Sequence, residues 1–175
     1  HYTAFATNAL GTAYGDTLSF STTECEAVDY NGHLYQVVEI GGQCVFAENL
    51  QTELYNDGDS IPYIADNTEW ATATGGAMTL DIDEDPEPVA ALYLAEYGRY
   101  YNGFAVNTGK LCPTGWSVST SSNWEDLATA LGGAATAGKE MKSIYGWYDN
   151  GNGTNSSGFN AKPAGYRNPY GFFDL

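Results

Sequence analysis

Three features of this 175-residue chain predict an α+β fold. Residues 2–20 and 34–46 alternate and turn in the manner of β-hairpins. A helix-start signal at Ser122 opens an apolar stripe that closes on Gly132. The composition, 21 Gly and 14 Tyr against only 6 Lys plus Arg, is that of a strand- and loop-rich extracellular surface. A chain of this length buries one sizeable core.

The first element is a hairpin. Residues 2–8 and 12–20 alternate with period two around a turn at 9–11, and Tyr2, Phe5, Leu18 and Phe20 are its candidate assembly positions. Two strands alone are marginal in water, so this segment, assigned to residues 1–22, is expected to seek a partner strand. Residues 23–175 form the main domain. Its strongest β signal, residues 34–40, runs into Gly41-Gly42 and a short strand over 44–46, a core hairpin. Residues 49–66 read as a long loop, with turn chemistry at 56–59, and 81–88 as an acidic, proline-punctuated connector. Good helix formers dominate the first half of 89–105, which predicts a buried helix.

The next helix has the clearest start. Ser122 with Glu125 three residues on forms a capping box, and Trp124, Leu127, Ala128 and Leu131 share one apolar face. The Gly-, Asn- and Ser-rich run 150–158 reads as a surface loop, and its two sequons make Asn152 and Asn155 candidate glycosylation sites.

Charge is unevenly placed. Residues 1–98 carry 17 acidic side chains and no Lys or Arg, whereas the remainder carries 5 acids and all 6 bases. The net charge of -16 argues against nucleic acid and anionic lipid as partners, favours solubility and cations, and its asymmetry allows head-to-tail attraction between copies. No stretch is long and apolar enough to span a bilayer, so membrane insertion is not expected. The chain starts at His1 instead of Met, which reads as a processed product or an excised piece.

Three cysteines leave one over. Cys25 and Cys44 flank a β segment, and in an oxidising compartment they are expected to bridge, closing a loop of about 20 residues worth about 3 kcal/mol. Pairing of Cys44 with Cys112, or three free thiols, is the competing outcome of non-reducing peptide mapping.

Catalytic chemistry has little to stand on. His33, the one internal histidine, stands at a strand start next to Gly32 and reads as a turn residue, and the cysteines sit in strand-like motifs suited to a disulfide. No phosphate loop, zinc spacing or dinucleotide fingerprint occurs. For a metal, Asp81, Asp83, Glu84 and Asp85 gather hard oxygen ligands that suit Ca²⁺, and Asp57 with Asp59 makes a smaller cluster; plain surface acidity is the alternative. Glu48 and Asn49 read as buried, satisfied polar groups. Aromatic side chains suit a glycan- or peptide-binding face. Trp116, Trp124 and Trp147 are expected inside, whereas Trp70, Tyr100, Tyr101, Tyr148, Tyr166 and Tyr170 are expected outside, with Trp70, Tyr148 and Tyr166 the ligand-binding candidates.

Several short motifs occur in a fixed order: Cys25-Glu-Ala-Val-Asp-Tyr-Asn-Gly-His-Leu-Tyr35, Gly42-Gln-Cys-Val-Phe-Ala-Glu-Asn-Leu50, Tyr97-Gly-Arg-Tyr-Tyr-Asn102 and Cys112-Pro-Thr-Gly-Trp116. Asn123-Trp-Glu-Asp-Leu127, Leu131-Gly-Gly133, Gly151-Asn-Gly-Thr-Asn-Ser-Ser-Gly-Phe159 and Gly165-Tyr-Arg167 follow. The ordered set resembles the major paralogous domain (FISUMP) family of secreted bacterial proteins. That resemblance implies a C-type-lectin-like fold, with the hairpin before it similar to the end of a fibronectin-III or immunoglobulin-like module. It also implies a partner for Cys112 in a strand near the family's C-terminus, and closing strands beyond Gly165-Tyr-Arg167 that this sequence lacks. The expectation is a non-catalytic extracellular protein of the cell surface, self-associating by strand addition into a filament or adhesive appendage. A monomeric glycan-binding adhesin and a fragment of a longer secreted protein are the alternatives.

Overall fold

The computed structural model describes residues 2–8, 11–18, 25–81 and 87–174. Strands β1 (Tyr2–Asn8) and β2 (Gly11–Leu18) form a two-stranded antiparallel sheet, with Tyr2 opposite Leu18 and Phe5 opposite Tyr14. The expected hairpin is therefore present; Phe20 lies outside the described residues.

Two tight hairpins open the main domain. β3 (Val28–Tyr30) pairs with β4 (His33–Tyr35), and β5 (Val37–Ile40) with β6 (Gln43–Phe46). Each two-residue turn needs φ > 0 at both positions, the geometry whose twist matches flanking strands. Asn31 (φ 53) and Gly32 (φ 83) supply it once, and Gly41 (φ 61) and Gly42 (φ 80) again. The single run expected over 34–40 is thus two strands separated at Gln36. A Cβ on Gly41 would stand 2.6 Å from that of Ala130, so the second turn also seats the β5–β6 tip on a helix.

The middle of the chain holds α1 (Asn67–Thr72), β7 (Met78–Thr79), α2 (Glu87–Tyr97), β8 (Tyr100–Tyr101) and α3 (Gly103–Asn107). Asp66 caps α1, its carboxylate accepting from the Thr68 and Glu69 amides. The helix expected over 89–105 breaks after Tyr97 at Gly98 (φ 68), because β8 must cross to pair with β7. Asn102 then caps α3 and also accepts from the Ala77 amide, tying β7 to the new helix.

Helices α4 (Ser121–Ala130) and α5 (Ala134–Met141) pack together. The capping box of α4 is Thr120 with Asn123 rather than Ser122 with Glu125, and the Asn123 amide also donates to Gln43 on β6. This extra tertiary bond favours the start two residues earlier. Last come β9 (Tyr166–Arg167) and β10 (Phe173–Asp174), paired antiparallel.

The described core is in two parts. Tyr55, Ile61, Met78, Ala105 and Leu111 make one; Ile40, Leu127 and Met141 make the other. Tyr35 is fully buried, stacked on Phe46 at 4.8 Å, and Phe46 continues to Trp116 at 4.5 Å. The structure is thus α+β, helices interleaved with small antiparallel sheets.

Candidate functional site

Cys25 and Cys44 are disulfide-bonded, as expected, tying the segment before β3 to β6. Cys112 is free and half-buried, and desolvation pushes its thiol above the ordinary range. Since the thiolate is the nucleophile, iodoacetamide should label Cys112 several-fold more slowly in the folded protein than in urea at the same pH, followed by intact mass. Equal rates would contradict this environment.

Cys112 borders an apolar groove of about 360 Å³ whose walls include Phe46, Leu50, Leu111, Trp116, Trp124 and Phe159. Trp124 stands edge-on to Phe159 at 5.7 Å yet is 45% exposed, so it is a groove wall and not the core residue expected. It lies at the outer margin of the α4 apolar stripe, where Leu127 takes the inner position. Trp116 and Trp147 are half-buried, the latter donating to Ser143 Oγ and the Ala161 carbonyl.

The ligand-binding candidates separate. Trp70 is only 8% exposed, which removes it from any outer face: it lies on α1 with the Arg167 guanidinium stacked over its ring at 4.5 Å. Arg167 is itself buried. It donates to the carbonyls of Gly171, Ile64 and Ala65 and to Asn67 Oδ1, at 2.6–3.0 Å. Tyr166 is exposed on β9 beside Asp174, whose charge pushes its phenol up.

Tyr148 is 94% exposed and lines a cleft of about 340 Å³ with Tyr93, Tyr97, Tyr100 and Asp81. Tyr93 and Tyr97 sit one turn apart on α2, their rings 5.4 Å between centroids. Their spacing of four on a helix was the available sequence signal, and it was missed. Tyr100 and Tyr101, expected outside, are half-buried. The Tyr100 hydroxyl donates to the Ala164 carbonyl, and burial pushes its phenol up to about 12. Tyr101 donates to the Thr52 carbonyl. Tyr170 is exposed as expected.

Among the expected acidic ligands, Asp83, Glu84 and Asp85 lie outside the described residues. Among the described residues no group of three or more His, Cys, Asp or Glu side chains comes together as a metal site. The smaller cluster is committed elsewhere: Asp57 accepts from Lys110 at 2.5 Å and from the Asp59 amide, and the Lys110 hydrogen bond holds its carboxyl low. His33 is the first residue of β4, the strand start expected next to Gly32 rather than part of the turn itself, and lies 2.8 Å from Glu48, which also accepts from the Gln36 amide. Glu48 is half-buried and satisfied, while Asn49 is exposed and donates to the Tyr97 carbonyl.

The 150–158 run is more than a surface loop. Backbone amides of Gly153, Thr154, Asn155 and Ser157 donate to the carbonyls of Ser143, Lys139, Lys142 and Glu140, closing the C-terminal end of α5. Asn152 accepts from the Trp147 amide and Asn155 from the Asn160 amide, so both sequon side chains take part in the loop's own structure.

Residues 38–174 match the model of the Fibrobacter succinogenes major domain. The chain belongs to that family. No curated protein and no solved structure matches it. The major-domain match takes in the groove, the tyrosine cleft and Arg167, whereas the β1–β2 hairpin and Cys25 precede it.

Proposed function

We propose that this member of the major-domain family is a non-catalytic, secreted bacterial surface subunit that joins copies of itself by strand addition into a filament or adhesive appendage. In this reading the main domain is C-type-lectin-like and β1–β2 derives from the end of an immunoglobulin-like module. One observation carries it: the hairpin. Its strands are seven and eight residues long and pair with each other in a two-stranded sheet, while the strands of the main domain have two to four residues. Among the described residues no further strand pairs with this hairpin, which leaves two edges, each a row of amides and carbonyls that a neighbouring chain can extend.

The apolar groove beside Cys112 supports the same reading as the receiving surface for a strand of a second copy. Apolar side chains of an added strand would cover Trp116, Trp124 and Phe159, which a lone subunit leaves partly in water. Donor and acceptor are different surfaces, so the contact is heterologous and propagates into an open chain of subunits. The opposed charges of the two halves favour that direction, and the Cys25–Cys44 bond suits an oxidising compartment.

Deleting residues 1–20 should abolish polymers, by sedimentation and electron microscopy, and leave a folded domain that retains its disulfide. A full-length chain that sediments as a folded monomer at high concentration, without polymers, would overturn the proposal.

A further inference from the structure

Among the described residues, the tyrosine cleft and the apolar groove share no lining residue. Tyr93 and Tyr97 on α2, Tyr100 on β8, Tyr148 on the 145–149 loop and Asp81 line the cleft. Its volume, about 340 Å³, is within the range of small-ligand sites. Tyr148 is the decisive wall. An aromatic ring 94% exposed loses apolar stabilisation that a bound ligand restores, and a flat face with a hydroxyl tip suits a molecule with one apolar face and a polar rim.

We propose that this cleft is a binding site for neutral carbohydrate, with a sugar ring laid on Tyr148 and its hydroxyl rim toward the phenols of Tyr93 and Tyr97. A pyranose has the required two-sided character: axial C–H groups on one face, hydroxyls around the edge. The net charge of -16 disfavours uronates, sialylated glycans and phosphorylated ligands, which restricts the class to uncharged sugars. An ammonium group would also be drawn to tyrosine faces. It is small against a cleft of this size and would meet only one or two of the four rings. Tyr100 is a fixed wall, its hydroxyl already committed to Ala164.

The test is an array of neutral, anionic and amino-sugar oligosaccharides, with proline-rich and lysine-rich peptides as controls, probed with the full chain. Neutral glycans should be retained, with affinity falling at least about tenfold, about 1.4 kcal/mol, in Tyr148→Ala and Tyr93→Ala. Tyr166→Ala, outside the cleft, should bind as wild type. Exposure of Tyr148 means its removal leaves the fold intact, which unchanged thermal unfolding verifies. A second measurement is independent of the mutants: bound glycan should shield Tyr148 from nitration. Retention of anionic glycans or peptides alone, retention of nothing, or full affinity in Tyr148→Ala would each overturn the site. Polymer formation by Tyr148→Ala should remain normal, which separates this site from the assembly reading.

Discussion

Arg167→Ala is expected to cost about 4 kcal/mol of folding stability, a large share of what a domain has in reserve. The guanidinium donates four hydrogen bonds, three of them to backbone carbonyls at Ile64, Ala65 and Gly171, and fills the space between the Trp70 and Phe173 rings. Removing it leaves those carbonyls without their donors, and it takes a cation away from two aromatic faces. Desolvation lowers its pKa, yet an arginine remains charged there. None of the four acceptors is a carboxylate, so what the site recognises is the planar fork of donors. Arg167→Lys should therefore recover little, because an ammonium cannot reach carbonyls on three sides at once. Urea unfolding of both variants decides the matter. A lysine variant within about 1 kcal/mol of wild type would show that charge alone was needed.

Gly153→Ala is expected to lower stability by about 3 kcal/mol, a fall of about 6–12 °C in Tm. Replacing Gly by Ala in a loop normally stabilises slightly by restricting the unfolded chain, so the sign itself is diagnostic. A Cβ on Gly153 would lie 2.3 Å from the Lys142 carbonyl oxygen and 2.5 Å from that of Lys139. Both are backbone atoms at the end of α5 and cannot swing aside. The matched control is Gly75→Ala, where a Cβ meets nothing within 4 Å. Calorimetry should show the two variants moving Tm unequally, with only Gly153→Ala strongly lowered; equal small shifts would remove the close approach from consideration.

Sequence reading succeeded where a single residue type dictates a local geometry. Gly41-Gly42 announces its turn because few other residues tolerate two successive positive φ values. The disulfide was legible from two cysteines around one β segment. It failed where partners far along the chain decide. Trp70 looked like a loop aromatic because α1, six residues long, is too short to show periodicity, and the arginine that covers it is Arg167. Trp124 shares a stripe with Leu127, but only packing against β5 and β6 shows which member of the stripe faces inward. The 150–158 run looked featureless because its role is played by backbone amides, which composition does not reveal. The cleft draws on Asp81, Tyr93, Tyr97, Tyr100 and Tyr148, positions that no short window brings together.

The bonds from Arg167 to Ile64 and Ala65 join positions 103 and 102 residues apart. Closing so long a loop is slow, and it cannot begin until the later residue is available. A chain emerging N-terminus first can form β3–β4 and β5–β6 from neighbours alone, yet Trp70 lacks its cover and the Ile64 and Ala65 carbonyls lack their donors until residue 167 has followed. Completion of the fold is thereby deferred until residue 167 has been synthesised.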